Sequence, residues 1–299
     1  MDRVFLIVNP FASAVTEERL GAIERELRGV VEPTVMLTER PEHAIELARE
    51  LSGGTVFVFG GDGLLNEVLN GLGPGAVVGV LPGGRTNVVA RALGLPLDPA
   101  AATRALLSSS PRLVSLGRAN GRRFAFAAGV GFDAELVRRV DELGRRSDGR
   151  RPGDLAFARE AVKLLARHRG RYEPVLEIEG LGRAAFALVA NNHPYSYARG
   201  RPLRIAPEAR FELGLDLVAP KQLRPRAIPR FVAYVFRGGG PPASDVHYGH
   251  DLDRIFVRCD RPLPLQVDGE DLGDVEEVVF EAERGAVSML APGAGTLTR

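Results

Sequence analysis

The chain has 299 residues, 45% hydrophobic and 26% charged, a composition that leaves room for two packed domains and excludes a disordered tail or a fibre. The formal net charge is +1, which gives no case for a nucleic-acid partner. One cysteine, Cys259, cannot form an intrachain disulfide or a thiolate zinc site and is expected to be an inert packed thiol. No apolar run reaches the roughly 18 to 20 residues that cross a bilayer, and the N-terminus alternates like a strand rather than a secretion signal, so a cytoplasmic protein is expected.

In chain order, Val4 to Val8 is a buried-strand run that ends at Asn9-Pro10, and a polar loop follows. Leu20, Ile23 and Leu27 recur at helical spacing, Thr34 to Leu37 reads as a second strand, and Pro41 is expected to open a helix carrying Ala44, Ile45, Ala48 and Leu51 inward. Val56 to Phe59 is a third buried strand that runs directly into Gly60-Gly61-Asp62-Gly63, after which Leu65, Val68, Leu69 and Leu72 fall on one helical face. Ala76 to Leu81 makes a fourth strand, followed by Pro82-Gly83-Gly84 and a short helix that stops at Gly94, with Pro96 beyond it.

From about Leu113 the pattern changes to short strands separated by turn residues: Phe124 to Phe126, Val175 to Ile178, Ala184 to Ala190, Leu215 to Val218, Ile255 to Arg258, Leu263 to Val267 and Val278 to Glu281. Two helical interruptions, Ala134 to Leu143 and Leu155 to His168, sit among them. The predicted fold class is α/β: a doubly wound, Rossmann-like domain over 1–115, a β-rich, sandwich-like domain over 116–285, and a C-terminal segment 286–299 free to pack back on the first domain. Arg138, Arg139, Arg145, Arg146, Arg150 and Arg151, mixed with glycine and proline, read as a solvated helix end and loop or as a membrane-facing patch.

In an open α/β sheet ligands sit outside the carboxyl ends of the strands, so the small-residue loops after the first-domain strands are expected to converge. Gly60-Gly61-Asp62-Gly63 is the most informative. Glycines let backbone amides close on phosphate oxygens, and a helix N-terminus adds partial positive charge. An aspartate there is poorly placed unless it meets a magnesium ion, a sugar hydroxyl or a metal-bound water. Read alone, the run is equally a tight structural turn.

The full run Gly60 to Leu72, GGDGLLNEVLNGL, resembles the signature of the diacylglycerol kinase and sphingosine kinase family. The resemblance continues through Val8-Asn9-Pro10, Thr38, Leu81-Pro82-Gly83-Gly84 with Asn87, Ala90, Arg91, Leu93, Gly94, Leu95 and Pro96, then Gly131-Phe132-Asp133-Ala134, Asn191, Gly200, Pro207, Ala209 and Asp268-Gly269-Glu270. It implies an ATP-dependent kinase with the nucleotide between the domains and a lipid acceptor approaching from the β-rich side at a membrane surface. Carried over, Asn9, Pro10, Phe11, Ala12, Ser13, Thr38, Gly60, Gly61, Asp62, Gly63, Leu64, Leu65, Asn66, Gly84 and Arg85 would contact ATP. Glu270 would accept the proton of the lipid hydroxyl, Asp268 would orient it or bind metal-bound water, and Asp62 and Asp133 would help hold Mg2+. On its own, Asp-Gly-Glu is an ordinary hairpin turn. The resemblance leaves a homodimer open.

Three departures stand out. Leu64 occupies the position after GGDG where the family usually has threonine. Arg85 follows Gly84 in place of a hydroxyl residue and either binds phosphate or points to solvent. Leu213 stands where an aspartate would bind the structural magnesium of some bacterial members, with Glu212 or Asp216 as substitutes, so that second site is expected to be weak or absent. These departures keep alive a nucleotide-binding regulator of the same fold. NAD kinase shares the GGDG element, but Asn66-Glu67 and Asn70-Gly71-Leu72 favour the lipid-kinase pattern. A hydride-transferring dinucleotide binder lacks a G-x-G-x-x-G fingerprint after the first strand. His43, His168, His193, His247 and His250 have no metal spacing, and the last two, near Asp245, Asp251 and Asp253, are expected in a surface loop.

Overall fold

The computed structural model describes residues 3–144, 152–237 and 245–292. The chain divides into two units, Met1–Val114 with Gly285–Arg299, and Ser115–Arg284. Arg145, Arg146, Arg150 and Arg151, and residues 293–299 of the C-terminal segment, lie outside the described residues.

Unit 1 alternates strands and helices: β1 (Val4–Val8), α1 (Glu17–Arg28), β2 (Thr34–Leu37), α2 (His43–Arg49), β3 (Gly54–Gly60), α3 (Asp62–Gly71), β4 (Ala76–Pro82), α4 (Val88–Ala92) and α5 (Pro99–Leu107). The strands pair in parallel in the order β2-β1-β3-β4, and Ser288 and Met289 add in parallel beyond β4 against Val77 and Val78. β1 and β3 are almost wholly apolar and buried because helices cover both faces of a parallel sheet. Helix α1 starts where the Thr16 hydroxyl accepts the Arg19 amide, with Glu17 and Glu18 in its first turn and Arg25 and Arg28 in its last, each sign at the favourable end of the dipole. Helix α2 opens at His43 rather than Pro41.

Unit 2 begins within β5 (Ser110–Ala119) and continues with β6 (Arg122–Phe124), β7 (Ala127–Val130), α6 (Phe132–Glu142), α7 (Asp154–Arg167), β8 (Leu176–Ile178), β9 (Gly182–Ala184), β10 (Ala187–Ala190), β11 (Ser196–Ala198), β12 (Arg201–Leu203), β13 (Leu215–Pro220), α8 (Ile228–Arg237), β14 (Val246–Leu252), β15 (Arg254–Val267) and the first part of β16 (Glu270–Ala291), which from Gly285 on belongs to unit 1. Its main sheet is antiparallel throughout in the order β14-β13-β10-β7-β15-β16. Hairpin β8–β9 branches from β15, and β5–β6 is a second hairpin. Phe124, Leu176, Leu217, Val257, Val267 and Phe280 belong to one buried cluster. The two expected strands 255–258 and 263–267 are one strand, β15, whose pairing shifts register between Arg258 and Leu263. The expected strand 184–190 is two, β9 and β10, and 278–281 is the middle of the long β16.

His247 and His250 lie on β14, not in a loop. Cys259 is buried and free, and burial pushes its thiol up to about 11, as an inert packed thiol requires. Among the described residues no helix is long and apolar enough to cross a membrane.

Candidate functional site

In unit 1 four strand ends meet. The order β2-β1-β3-β4 reverses direction at β1/β3, the switch point where open α/β sheets leave a crevice. There the Asn9 amide donates to the Phe59 carbonyl at 3.1 Å, and the Asn9 side chain accepts the Phe11 amide at 2.9 Å. Thr38, buried at the end of β2, donates its amide to the Val8 carbonyl at 2.9 Å. The loop after β1 reaches the loop after β4, Ala14 N–H to Gly83 carbonyl at 3.0 Å, and Gly83 in turn donates to Gly60 at 2.8 Å.

The glycines are explained first by this convergence. A Cβ on Gly83 would stand 2.9 Å from the Gly60 Cα, and one on Gly84 would stand 2.5 Å from the Gly61 Cα. The two glycine pairs are packed back to back, so the loop after β4 tolerates no side chain at Gly83 or Gly84, whereas a Cβ on Gly61 would meet the Gly84 Cα at an ordinary 3.4 Å. What remains open at this edge is main chain: the first-turn amides of α3, from Asp62 to Leu64, have no carbonyl within the helix to accept them. An anion is the natural acceptor.

Asp62 has a definite occupation. Its Oδ2 accepts the Val88 amide at 3.0 Å and its Oδ1 the Val89 amide at 3.3 Å, so the carboxylate caps α4. Burial raises its pKa and these amides oppose the rise. Asn87, in the left-handed region at φ 50, locks the same loop: its Oδ1 accepts the Gly84 amide at 2.9 Å and its Nδ2 donates to the Gly84 carbonyl at 2.8 Å. Arg85, between them, is exposed and has no hydrogen-bond or ion-pair partner among the described residues.

The downstream part of the signature is scaffold. Leu64 is 5% exposed, and a Cβ on Gly60 would meet its Cδ2 at 2.6 Å, so the leucine closes over the end of β3. Leu65 and Asn66 are buried inside the unit, and the Asn66 side chain and carbonyl accept from Asn70 at 3.1 and 2.9 Å. Glu67 accepts the Ala44 amide at 3.2 Å, and a Cβ on Gly71 would stand 2.2 Å from the Ile45 carbonyl oxygen. Asn9 to Ser13, Thr38, Gly60 to Gly63, Gly84 and Arg85 therefore share one edge, while the side chains of Leu64, Leu65 and Asn66 turn away from it into the unit.

In unit 2, Val267 pairs with Glu270 and the two residues between them, Asp268 at φ 48 and Gly269 at φ 81, close a two-residue hairpin. Positive φ at both positions is the I′ geometry that Asp-Gly supplies. The turn is pinned. Asp268, 6% exposed, accepts the amides of Ala125, Phe126 and Ala127 at 2.7, 3.0 and 3.2 Å. Gln266 Oε1 accepts the Gly269 amide at 2.9 Å, and its Nε2 donates to Asp133 Oδ2 at 2.7 Å, where the Tyr195 hydroxyl also donates at 2.7 Å. Burial raises the Asp133 pKa against those two hydrogen bonds, and burial followed by the nearby Asp133 raises that of Tyr195, which stays a donor. Glu270 leaves the turn with its side chain 36% exposed and Arg122 Nη2 at 3.8 Å.

Sequence reasoning missed Gln266 and Tyr195. Gln266 was detectable, since a glutamine inside the apolar run Leu263 to Val267 needs buried partners. Asp216, the candidate substitute at the second metal site, is buried and accepts His250 Nδ1 at 2.8 Å, the Asp251 amide at 3.1 Å and the Tyr248 hydroxyl at 3.0 Å. As to magnesium at the transferred phosphate, the ion takes oxygen ligands and often only one or two carboxylates beside phosphates and water. Asp133 fits, because its Oδ1 accepts no hydrogen bond among the described residues. Both Asp62 oxygens are already engaged by α4.

Residues 3–119 match the diacylglycerol kinase catalytic domain. A probable lipid kinase, YegS-like, from Pseudomonas aeruginosa is 35% identical over 147 residues, which are 47% of this chain and 48% of that protein, so the match spans about half of that relative's length. A diacylglycerol kinase from Bacillus subtilis is 28% identical over 236 residues, 76% of this chain and 75% of that one. A putative diacylglycerol kinase from Bacillus anthracis superposes with a TM-score of 0.77 at 22% identity, covering 98% of both chains, and shows the same fold.

Proposed function

We propose, from the match of residues 3–119 to the diacylglycerol kinase catalytic domain, that the chain transfers the γ-phosphate of ATP to the hydroxyl of a lipid. The observation that carries the reading is the back-to-back packing of Gly60 and Gly61 with Gly83 and Gly84, which sets three loop ends and the N-terminus of α3 along one backbone-lined edge.

The amides of Gly61 to Leu64 and the loop Asn9 to Ser13 would cradle the phosphates, Thr38 would border the nucleotide, and the guanidinium of Arg85, which has no hydrogen-bond or ion-pair partner among the described residues, would take phosphate oxygens pairwise. Glu270 accepts the proton of the acceptor hydroxyl as that oxygen bonds to the γ-phosphorus and the bond to ADP breaks. Asp268 and Gln266 position it by holding the turn on either side. Magnesium, when bound, would neutralise charge on the phosphates, with Asp133 Oδ1 as its protein-side ligand directly or through water.

The test is phosphorylation of a lipid panel in mixed micelles with labelled ATP and magnesium, with NAD offered in parallel, by the natural sequence and by Glu270→Gln. Labelled lipid that falls about 10²- to 10⁴-fold in the variant, with ATP binding unchanged, is expected. Labelled NAD phosphate sinks the lipid reading. ATP binding without any product moves the chain to the regulator class and makes Leu64 and Arg85 the residues to restore.

A further inference from the structure

Helix α8 is apolar on two faces. Its inner face ties it to unit 2: Tyr234 is buried and donates its hydroxyl to the Ile205 carbonyl, the Arg204 amide donates to the Val235 carbonyl at 2.6 Å, and the Phe231 ring meets Phe186 edge-on at 6.0 Å. Pro229, Val232, Ala233 and Phe236 recur at the spacing i, i+3, i+4, i+7 and so form a second stripe on the other side. Val232 is 46% and Phe236 44% exposed.

Arginines border that stripe. Arg230 and Arg237 stand along its edge, and Arg226 lies one turn earlier in the short helical turn Pro225–Ala227. From Lys221 to Arg237 the chain has four arginines and one lysine and no acidic residue. Arg230 pairs with Asp245, while Arg226 and Arg237 have no hydrogen-bond or ion-pair partner among the described residues.

The charge decides what covers the stripe. A two-fold contact between copies would bring each arginine row toward its counterpart, which is repulsive. An anionic lipid surface suits both features at once: the apolar stripe enters the acyl boundary, and each arginine near the headgroups strengthens partition about fivefold. We propose that α8 is a membrane-docking helix that lies in the headgroup plane of an anionic bilayer, with Val232 and Phe236 inserted and Arg226, Arg230 and Arg237 against lipid phosphates. Its purpose rests on the lipid-acceptor reading, because it would hold the enzyme where its substrate resides.

The chain has no tryptophan, so Phe236→Trp in the full chain installs a single indole reporter. Its emission should shift to the blue on vesicles of mixed phosphatidylcholine and phosphatidylglycerol, far less on phosphatidylcholine alone, and return as salt is raised. In flotation, Val232→Ser/Phe236→Ser and Arg226→Ala/Arg237→Ala should each lower partition to the anionic vesicles about tenfold or more. These positions are exposed, so the fold should be retained. Unshifted emission, unchanged flotation of the serine variant, or a shift that grows with protein concentration without lipid would overturn the proposal, the last assigning the stripe to a second copy. No nucleotide is present in either measurement. Vesicle binding without lipid phosphorylation would keep the docking surface and remove the kinase reading, and phosphorylation of micellar lipid without vesicle binding would do the reverse.

Discussion

On the proposed reading, the loop edge of unit 1 would offer its chemistry through the main chain, whereas the hairpin of unit 2 would offer it through one side chain. In unit 1 the side chains of the signature are largely occupied elsewhere: Asp62 caps α4, Glu67 caps α2, and Leu64 closes over Gly60. Glycines keep the amides within reach. In unit 2 the turn amides of Asp268 and Gly269 are engaged, and Glu270 leaves the turn with its side chain 36% exposed beside Arg122. A backbone site should therefore be damaged by adding atoms, and a side-chain site by removing them.

The largest effect expected from that contrast is at Asp268. Asp268→Ala leaves three buried amides without an acceptor and places alanine at φ 48, so about 3 kcal/mol or more of stability should be lost in urea denaturation. Asp268→Asn keeps the turn geometry and one good acceptor and should lose roughly 1 to 2 kcal/mol. Equal losses for the two substitutions would show that the amide cluster does not hold the turn.

Gly84→Ala is the matching experiment in unit 1. Its new methyl would lie 2.5 Å from the Gly61 Cα, a backbone atom that cannot rotate away. The expected cost is about 1 to 3 kcal/mol, with weakened ATP binding in a nucleotide titration because the two loops must part. Unchanged affinity in a folded Gly84→Ala protein would detach the glycine pairing from nucleotide binding.

A narrower effect belongs to Asp133. Burial raises its pKa in the folded state, so the folded chain holds that proton to higher pH than the unfolded chain does. Stability then falls as pH rises from the ordinary carboxylate range of about 4 through the raised value, and is flat beyond it. Asp62 adds a slope of the same sign. Denaturation across this range should show a shallower fall for Asp133→Asn, with the difference between the two proteins reporting Asp133 alone. Parallel curves would mean that Tyr195 and Gln266 offset its burial.

Much of unit 1 was legible because a parallel sheet writes itself as apolar runs punctuated by glycine and proline, and β1, β3 and β4 fell within a few residues of expectation. Asp-Gly between Val267 and Glu270 was readable as a turn for the same reason. What sequence did not disclose was long-range pairing. Nothing local says that Asp268 will meet amides 141 to 143 residues away, that Gln266 will join Gly269 to Asp133, or that Gly83 will face Gly60. Helix α8 escaped because Pro225 and Pro229 punctuate its start and read as turn residues rather than as a helix opening. The Leu64 substitution, read as a lost hydroxyl, is also a gained core contact.

The smallest expected effect is at Arg85, and it separates the two regions most cleanly. The side chain is exposed and unpartnered among the described residues, so Arg85→Ala should leave denaturation within about 0.5 kcal/mol of the natural sequence. If it meets phosphate, the loss of a charge-assisted pair should raise the KM for ATP about tenfold, with kcat nearly unchanged when the contact is made equally in the ground and transition states. Arg85→Lys should recover only part of this, because an ammonium cannot reproduce the planar two-point contact. A KM unaffected by both substitutions would leave the edge to its backbone alone, and the amides of α3 would then carry the phosphate contacts without a side-chain cation.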